Sequence, residues 1–263
     1  MTARRLTAFT MMAAALVMTV SPPAQAERIV ASVSSHRVTV NTNYVGEELV
    51  VFGTMEADAD TPAPAGAQRD LVITVSGPRA DMTTWRKERR LGIWLNTDSR
   101  EFLQVPAYLA VFSNRPLSDI ASSDLRRRMQ LGIDNVQLTQ RVGPDYADVV
   151  ASDLFRTAFV RQQMERGLYW QSASAVTFLT PTLFRASITL PGRVPIGTYE
   201  VDVKLFADNA LAGRTQTSFE IVKTGFEQFV ASAAKTHGVL YGLATVIMAL
   251  ATGWVAALAF RKD

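Results

Sequence analysis

Trp85, Arg86, Lys87, Arg89, Arg90 and Trp94 form the densest basic and aromatic cluster in the sequence, with Glu88 the one acid among them. A guanidinium is a planar fork of N–H donors that fits the oxygens of a sulfonate, phosphate or carboxylate, and an adjacent indole adds a flat apolar face. Chemistry of that kind grips a small anion, a lipid headgroup or an acidic protein surface. On a strand, alternation sets Trp85, Lys87 and Arg89 on one face and Arg86, Glu88 and Arg90 on the other. A plainer reading stands beside it: charges along an edge hairpin discourage foreign strands from pairing there.

Other chemistry has thinner support. Glu56, Asp58 and Asp60 alternate as calcium-loop carboxylates do. That loop also needs a glycine after the third acid and a glutamate at position twelve, where Thr61 and Ala67 stand, so a solvated acidic loop is the simpler reading. Cysteine is absent, which excludes disulfides, thiolate nucleophiles and thiolate metal sites. Histidine occurs only as His36 and His237. His237 abuts the C-terminal apolar segment, so a catalytic histidine would have to be His36, and no G-x-S-x-G motif accompanies it. No metal, cofactor or enzymatic activity is expected. Arg126-Arg127-Arg128 reads as charge complementing a helix C-terminus.

Two apolar segments position everything else. Arg4 and Arg5, the run Ala8–Val20, Ser21-Pro22-Pro23 and Ala24-Gln25-Ala26 follow the order of a secretory signal peptide, residues 1–26. Val239–Phe260 carries no charge and spans about 33 Å as a helix, enough to cross a bilayer core. Arg261 and Lys262 then favour a cytoplasmic C-terminus, residues 261–263, by the positive-inside rule. The expected protein is therefore single-pass in the inner membrane, with residues 27–224 in the periplasm. Within the anchor, Thr245, Ala249, Gly253 and Ala257 recur every four residues, a small-residue stripe that lets helices approach closely; an ordinary alanine-rich anchor is the equal alternative.

Setting aside Arg4, Arg5, Arg261, Lys262 and Asp263 leaves 23 basic and 23 acidic side chains. An exported domain so balanced has no electrostatic drive towards nucleic acid. Its β-branched and aromatic runs, divided by turn residues, predict strands at Ile29–Val33, Arg37–Asn41, Glu48–Thr54, Asp70–Ser76, Met82–Arg90, Ile93–Asn96, Phe102–Val105 and Tyr108–Ser113. Helices are predicted over Ser118–Leu131 and Asp145–Arg166, the second from an apolar stripe through Tyr146, Val149, Val150, Leu154, Phe155, Ala158 and Phe159. Strands resume at Ala175–Leu179, Phe184–Leu190, Thr198–Phe206 and Gln216–Val222. A short amphipathic helix within residues 225–238 leads into the anchor.

Pro195-Ile196-Gly197-Thr198-Tyr199 resembles the entry to the penultimate strand of an immunoglobulin-like sandwich, where a tyrosine reaches back to the corner. Val201, Val203 and Leu205 then alternate with Asp202 and Lys204, which predicts one buried and one wet face. The expected fold is mainly β: an immunoglobulin-like β-sandwich with a helical excursion at 116–167 and one C-terminal transmembrane helix. Two abutting β-domains are the alternative.

Several phrases also resemble an alphaproteobacterial family of transmembrane proteins of unknown function. They include Gly92-Ile93-Trp94 with Asn96, Ser113-Asn114-Arg115-Pro116-Leu117, Leu183-Phe184-Arg185, Val194-Pro195 with Gly197 and Tyr199, and Gly225-Phe226-Glu227. The resemblance implies an exported, anchored protein that accompanies a permease of the sulfite or sulfonate exporter type. It carries over no catalytic residue. The functional expectation is a non-enzymatic accessory or assembly partner of a membrane complex, bound to a permease or to itself through the anchor. The alternative is a periplasmic module that binds an anion or headgroup through Trp85–Trp94.

Overall fold

The computed structural model describes residues 28–41, 44–56, 69–142, 145–223, 230 and 234–259. The chain is mainly β. One four-stranded sheet has the order β1 (Arg28–Val33), β3 (Gly46–Glu56), β12 (Leu183–Pro191), β11 (Val176–Phe178). A six-stranded sheet has the order β10 (Tyr169–Ser172), β7 (Leu109–Ser113), β4 (Arg69–Ser76), β13 (Gly197–Ala207), β14 (Ala210–Lys223), β2 (Arg37–Val40). Strands from the two ends of the sequence interleave in both sheets, so neither block stands alone.

The two sheets face each other across one apolar core. Val51, Phe184, Ile188 and Leu190 enter it from the first sheet, and Leu71, Ile73, Tyr199, Val201 and Val203 from the second. Alternation creates this face: in β13 every second residue from Tyr199 to Leu205 is buried. The chain changes sheets once at its start. β1 pairs antiparallel with β3, the chain bends at Ser34–His36, and β2 then runs parallel to β14. His36 is exposed at that bend.

Tyr199 closes the corner foreseen for it. Its hydroxyl donates to the Pro195 carbonyl at 2.6 Å, and its ring stacks on Phe219 at 5.0 Å. Tyr108 donates to the Thr189 carbonyl and accepts from Trp170 Nε1 at 3.0 Å, while Tyr169 donates to the Pro106 carbonyl at 2.7 Å. Burial disfavours the phenolate at all three, pushing Tyr108 up to about 12 and Tyr169 and Tyr199 higher still. Their stabilising effect is complete below pH 10, the ordinary tyrosine value. Above it the unfolded chain releases phenolic protons that the native state keeps, so stability falls as pH rises through 12. Tyr108 alone accounts for about 3 kcal/mol of that loss. Alkaline titration should show phenolate absorbance from these residues appearing together with loss of β circular dichroism. Full phenolate formation in a still-folded protein would contradict it.

The excursion at 116–167 differs from the sequence expectation. A single helix over Ser118–Leu131 is replaced by α1 (Leu117–Ile120) and α2 (Ser123–Arg128), because Ala121 is extended and Ser122 caps a new start at Leu125 N. A 3-10 turn, η1 (Ile133–Asn135), follows. The helix predicted from Asp145 begins nine residues later, as α3 (Leu154–Glu165), where the Asp153 carboxylate accepts from Arg156 N at 3.0 Å. Asp145–Asp148 is instead β9, a strand paired with β8 (Thr139–Val142). Asp148 Oδ1 accepts from Leu138 N and so belongs to that ribbon. Of the expected apolar stripe only Val149 and Phe159 are buried, whereas Tyr146, Val150 and Leu154 are exposed. The buried positions of α3 are Arg156, Phe159 and Gln163, with Arg156 donating to the carbonyls of Asp134 and Val136. A polar residue at a core-facing position hides the helical period from a hydrophobicity reading.

This excursion packs on the outer face of the six-stranded sheet. Val72, Val111 and Phe206 from the sheet meet Ile120, Leu131, Leu138 and Phe159 in a second core. Strands β4 and β7 are therefore covered on both faces.

Candidate functional site

The cluster Trp85–Trp94 lies on a two-stranded arm. Strands β5 (Arg79–Arg90) and β6 (Ile93–Pro106) pair antiparallel, so the two segments predicted at Ile93–Asn96 and Phe102–Val105 are one strand. The arm continues the central strands of the sandwich. β4 pairs β7 up to Ser76 and Leu109; Gly77 N then donates to the Tyr108 carbonyl, Ala107 N to the Pro78 carbonyl, and Arg79 pairs with Pro106. One ladder thus runs unbroken in sense from Val72–Ser113 to Arg90–Ile93. Two bulges interrupt it, one at Gln104 and one near Thr97, and bulges increase twist. At the first, Gln104 has φ 50° and its N–H donates to Asp81 Oδ1 at 2.8 Å.

The base of the arm is held and its distal part is not. Phe102 is buried with its ring 5.2 Å from that of Phe159. Arg100 donates to Gln140 and Asp153 and lies over the Phe155 ring. From Trp85 to Ser99, among the described residues, hydrogen bonds and ion pairs stay within the arm. Glu88 pairs with Arg86 at 2.9 Å and with Arg90 at 3.4 Å, and Arg89 Nε donates to the Gly92 carbonyl. Leu91 and Gly92 form the two-residue turn with φ 52° and 85°, the signature of a hairpin turn with both central residues left-handed.

The structure thus brings all six predicted site residues to one tip. Arg89 stands opposite Trp94, so Trp85, Lys87, Arg89 and Trp94 share a face. Arg86, Glu88 and Arg90 share the other with Ile93 and Leu95. Trp85, Leu91, Ile93, Trp94 and Leu95 are all exposed, Leu91 completely. Both faces therefore offer cations beside unpartnered apolar surface.

Sequence reasoning missed a cleft of about 680 Å³ between the six-stranded sheet and the excursion. Glu200, Asp202 and Lys204 line one wall, Arg128 and Gln137 the other, and Asp81 stands at the arm base. Lys204, expected on a wet face, is 5% exposed, because the excursion roofs that face. Asp202 accepts from Lys204 and, in a bidentate pair at 2.8 and 3.1 Å, from Arg214. That carboxylate raises the guanidinium of Arg214 above its ordinary value. One carboxylate thus binds two cations, and the cluster holds the sheet face together. Alternation alone cannot reveal it, since it depends on an insertion folding back over the strand.

Among the remaining candidates, Arg126–Arg128 occupy the last turn of α2, where Arg127 pairs with Asp124 three residues earlier. Asp58 and Asp60 lie outside the described residues, as do residues 1–26, read above as a signal peptide, most of 225–238, read as a juxtamembrane helix, and residues 260–263. Helix α4 (Gly238–Ala259) contains the anchor as far as Ala259. Gly238–Ala257 has mean hydropathy 1.8, and the protein buries none of its apolar window. Gly253 has open space around its Cα, so its face is free to meet another helix.

A β-rich domain joined to one exposed apolar helix, long enough to cross a bilayer, points to a membrane protein. The chain belongs to the Alph_Pro_TM family, described as "Putative transmembrane protein", whose model matches residues 28–262. No curated protein matches the chain.

Proposed function

We propose that this protein is a non-enzymatic, single-pass inner-membrane component that presents its β-domain in the periplasm and assembles with an integral membrane partner. The carrying observation is the helix α4, whose apolar length stays unburied among the described residues and carries a small residue at every fourth position from Thr245 to Ala257. A helix in lipid gains nothing from hydrophobicity when it meets another helix; close packing across small residues supplies the attraction. Thr245, Ala249, Gly253 and Ala257 are the surface for that contact. The partner is a permease, of the sulfite or sulfonate exporter type that the family resemblance suggests, or a second copy of this chain. The sandwich reads as immunoglobulin-like, supported by the Tyr199 corner and by the β1–β2 switch between sheets.

The experiment is co-purification in mild detergent at matched expression. Gly253→Ile places bulk on the stripe, and Ala251→Ile places the same bulk on the opposite side of the helix. Gly253→Ile should insert normally yet lose its membrane partners or its self-association, whereas Ala251→Ile retains them. Equal recovery from both variants would remove the stripe from the assembly and with it the main support for this reading.

A further inference from the structure

We infer that the β5–β6 arm is a second membrane contact, which seats its tip on the anionic surface of the same bilayer that holds α4. The inference rests on the anchored placement proposed above. Strand direction supplies the first argument. β4 and β14 both run antiparallel to β13, so they run in the same sense. The arm leaves the sheet at Gly77–Pro78, where a Cβ on Gly197 would stand 3.0 Å from Pro78, and Gly197 pairs with Ile221. β14 ends two residues later at Lys223, from which residues 224–237 lead to α4. Arm and anchor therefore leave the same end of the sandwich. The β2–β3 and β12–β13 connections lie at that end too, and they expose Val45 and Ile196.

The chemistry of the tip supplies the second argument. Trp85, Leu91, Ile93 and Trp94 are 53–104% exposed, and among the described residues the Leu91 side chain gains no burial for its left-handed backbone. Tryptophan favours the headgroup level of a bilayer, where its ring is half in hydrocarbon. Arg86, Lys87, Arg89 and Arg90 around these side chains are attracted by anionic lipid and cover both faces of the ribbon. An acidic protein surface would match the charges, but it would leave the tip's apolar side chains in water. A hairpin with apolar residues at the turn and cations behind them matches the layered polarity of a membrane interface.

The absence of native cysteine makes the test direct. The full chain with Leu91→Cys carries a nitroxide label and is reconstituted into nanodiscs of phosphatidylglycerol and phosphatidylethanolamine, or of phosphatidylcholine alone. Ala210→Cys, beside the Asp208–Asn209 turn at the far end of the sandwich, is the water-exposed control. In anionic nanodiscs the label at 91 should favour contact with oxygen over a water-soluble nickel complex, and the label at 210 should not. Arg86→Gln, Lys87→Gln, Arg89→Gln and Arg90→Gln together should reduce the bound fraction, by roughly fivefold in the equilibrium per charge removed. Phosphatidylcholine should weaken the contact likewise. A label at 91 as water-accessible as that at 210 in anionic nanodiscs overturns the inference and leaves a protein surface as the arm's target. The same label on Val246→Cys, placed alone in the cysteine-free chain, checks the anchor separately: if it is as open to the nickel complex as the label at 210, the anchored placement itself has failed.

Discussion

Replacing Gly53 with valine should abolish the folded β-domain, and Gly53→Ala should lower its stability by about 3 kcal/mol or more. Gly53 lies in β3, the inner strand of the first sheet, paired with Ala31 on one side and Phe184 on the other. A Cβ there would overlap the Val30 carbonyl and come within 2.6 Å of the Phe184 ring and 2.9 Å of Ala31 Cα. Phe184 is a completely buried core ring that occupies the space left by the missing side chain. A ring can shift, but Val30 and Ala31 present backbone on the adjoining strand. Accommodating the methyl group means separating β1 from β3 or moving a core aromatic residue. Folded domains of this size have about 5–15 kcal/mol of stability in total, so the larger valine leaves little or none. Denaturant unfolding of the full chain in detergent gives the measurement. A midpoint for Gly53→Ala that corresponds to less than 1 kcal/mol of change would show that β1 moves aside freely. If Phe184→Leu restores Gly53→Ala, the ring alone was the obstacle.

Arg115→Met should cost about 3–5 kcal/mol, because it strands a buried carboxylate. Asp70, 2% exposed at the start of β4, accepts two bonds from Arg115, one of them from Nε at 2.6 Å. Asn114 Nδ2 adds a third at 3.0 Å, and Asn114 Oδ1 accepts from Leu71 N at 2.9 Å. The group joins the start of β4 to the residues that follow β7, so it fixes the far end of that strand pair. Removing the guanidinium leaves Asp70 charged and dry, with Asn114 as its remaining side-chain partner among the described residues. Adding Asp70→Asn removes the stranded charge. The double variant should therefore recover a substantial part of the loss, although it has lost one more native group. If the double variant is less stable than Arg115→Met by the full cost of a second deletion, the two residues act independently and the charge argument fails.

Sequence alone conveyed the strands whose apolar residues alternate and whose ends carry glycine or proline. β3, β12 and β13 appear at or near their true limits for that reason, as does the anchor. The Tyr199 corner was legible because a proline, a glycine and a tyrosine at fixed offsets fulfil one local geometry. The continuity of β6 was hidden by Asn96–Glu101, a polar stretch that is solvated on both faces and leaves no hydrophobic alternation. β9 was mistaken for helix because Tyr146, Val149 and Val150 suit either period, and only pairing with β8 decides between them. The six arm residues were identified by charge and aromatic type. Their common projection from the sheet was not, because it depends on registers on both sides of Gly77–Pro78. The Asp202–Lys204–Arg214 cluster was beyond reach for a different reason: its burial comes from residues about seventy positions away.

The antiparallel pairing that passes from β4–β7 through Gly77–Pro78 into β5–β6 makes the arm a beam rooted in the middle of the domain. β4 is hydrogen-bonded to both β7 and β13 along its length, and β7 also to β10. Tension applied at Leu91 along the strands loads those bonds side by side, in shear, so many must fail at once. A hairpin attached at the rim of a sheet would instead peel open one bond at a time.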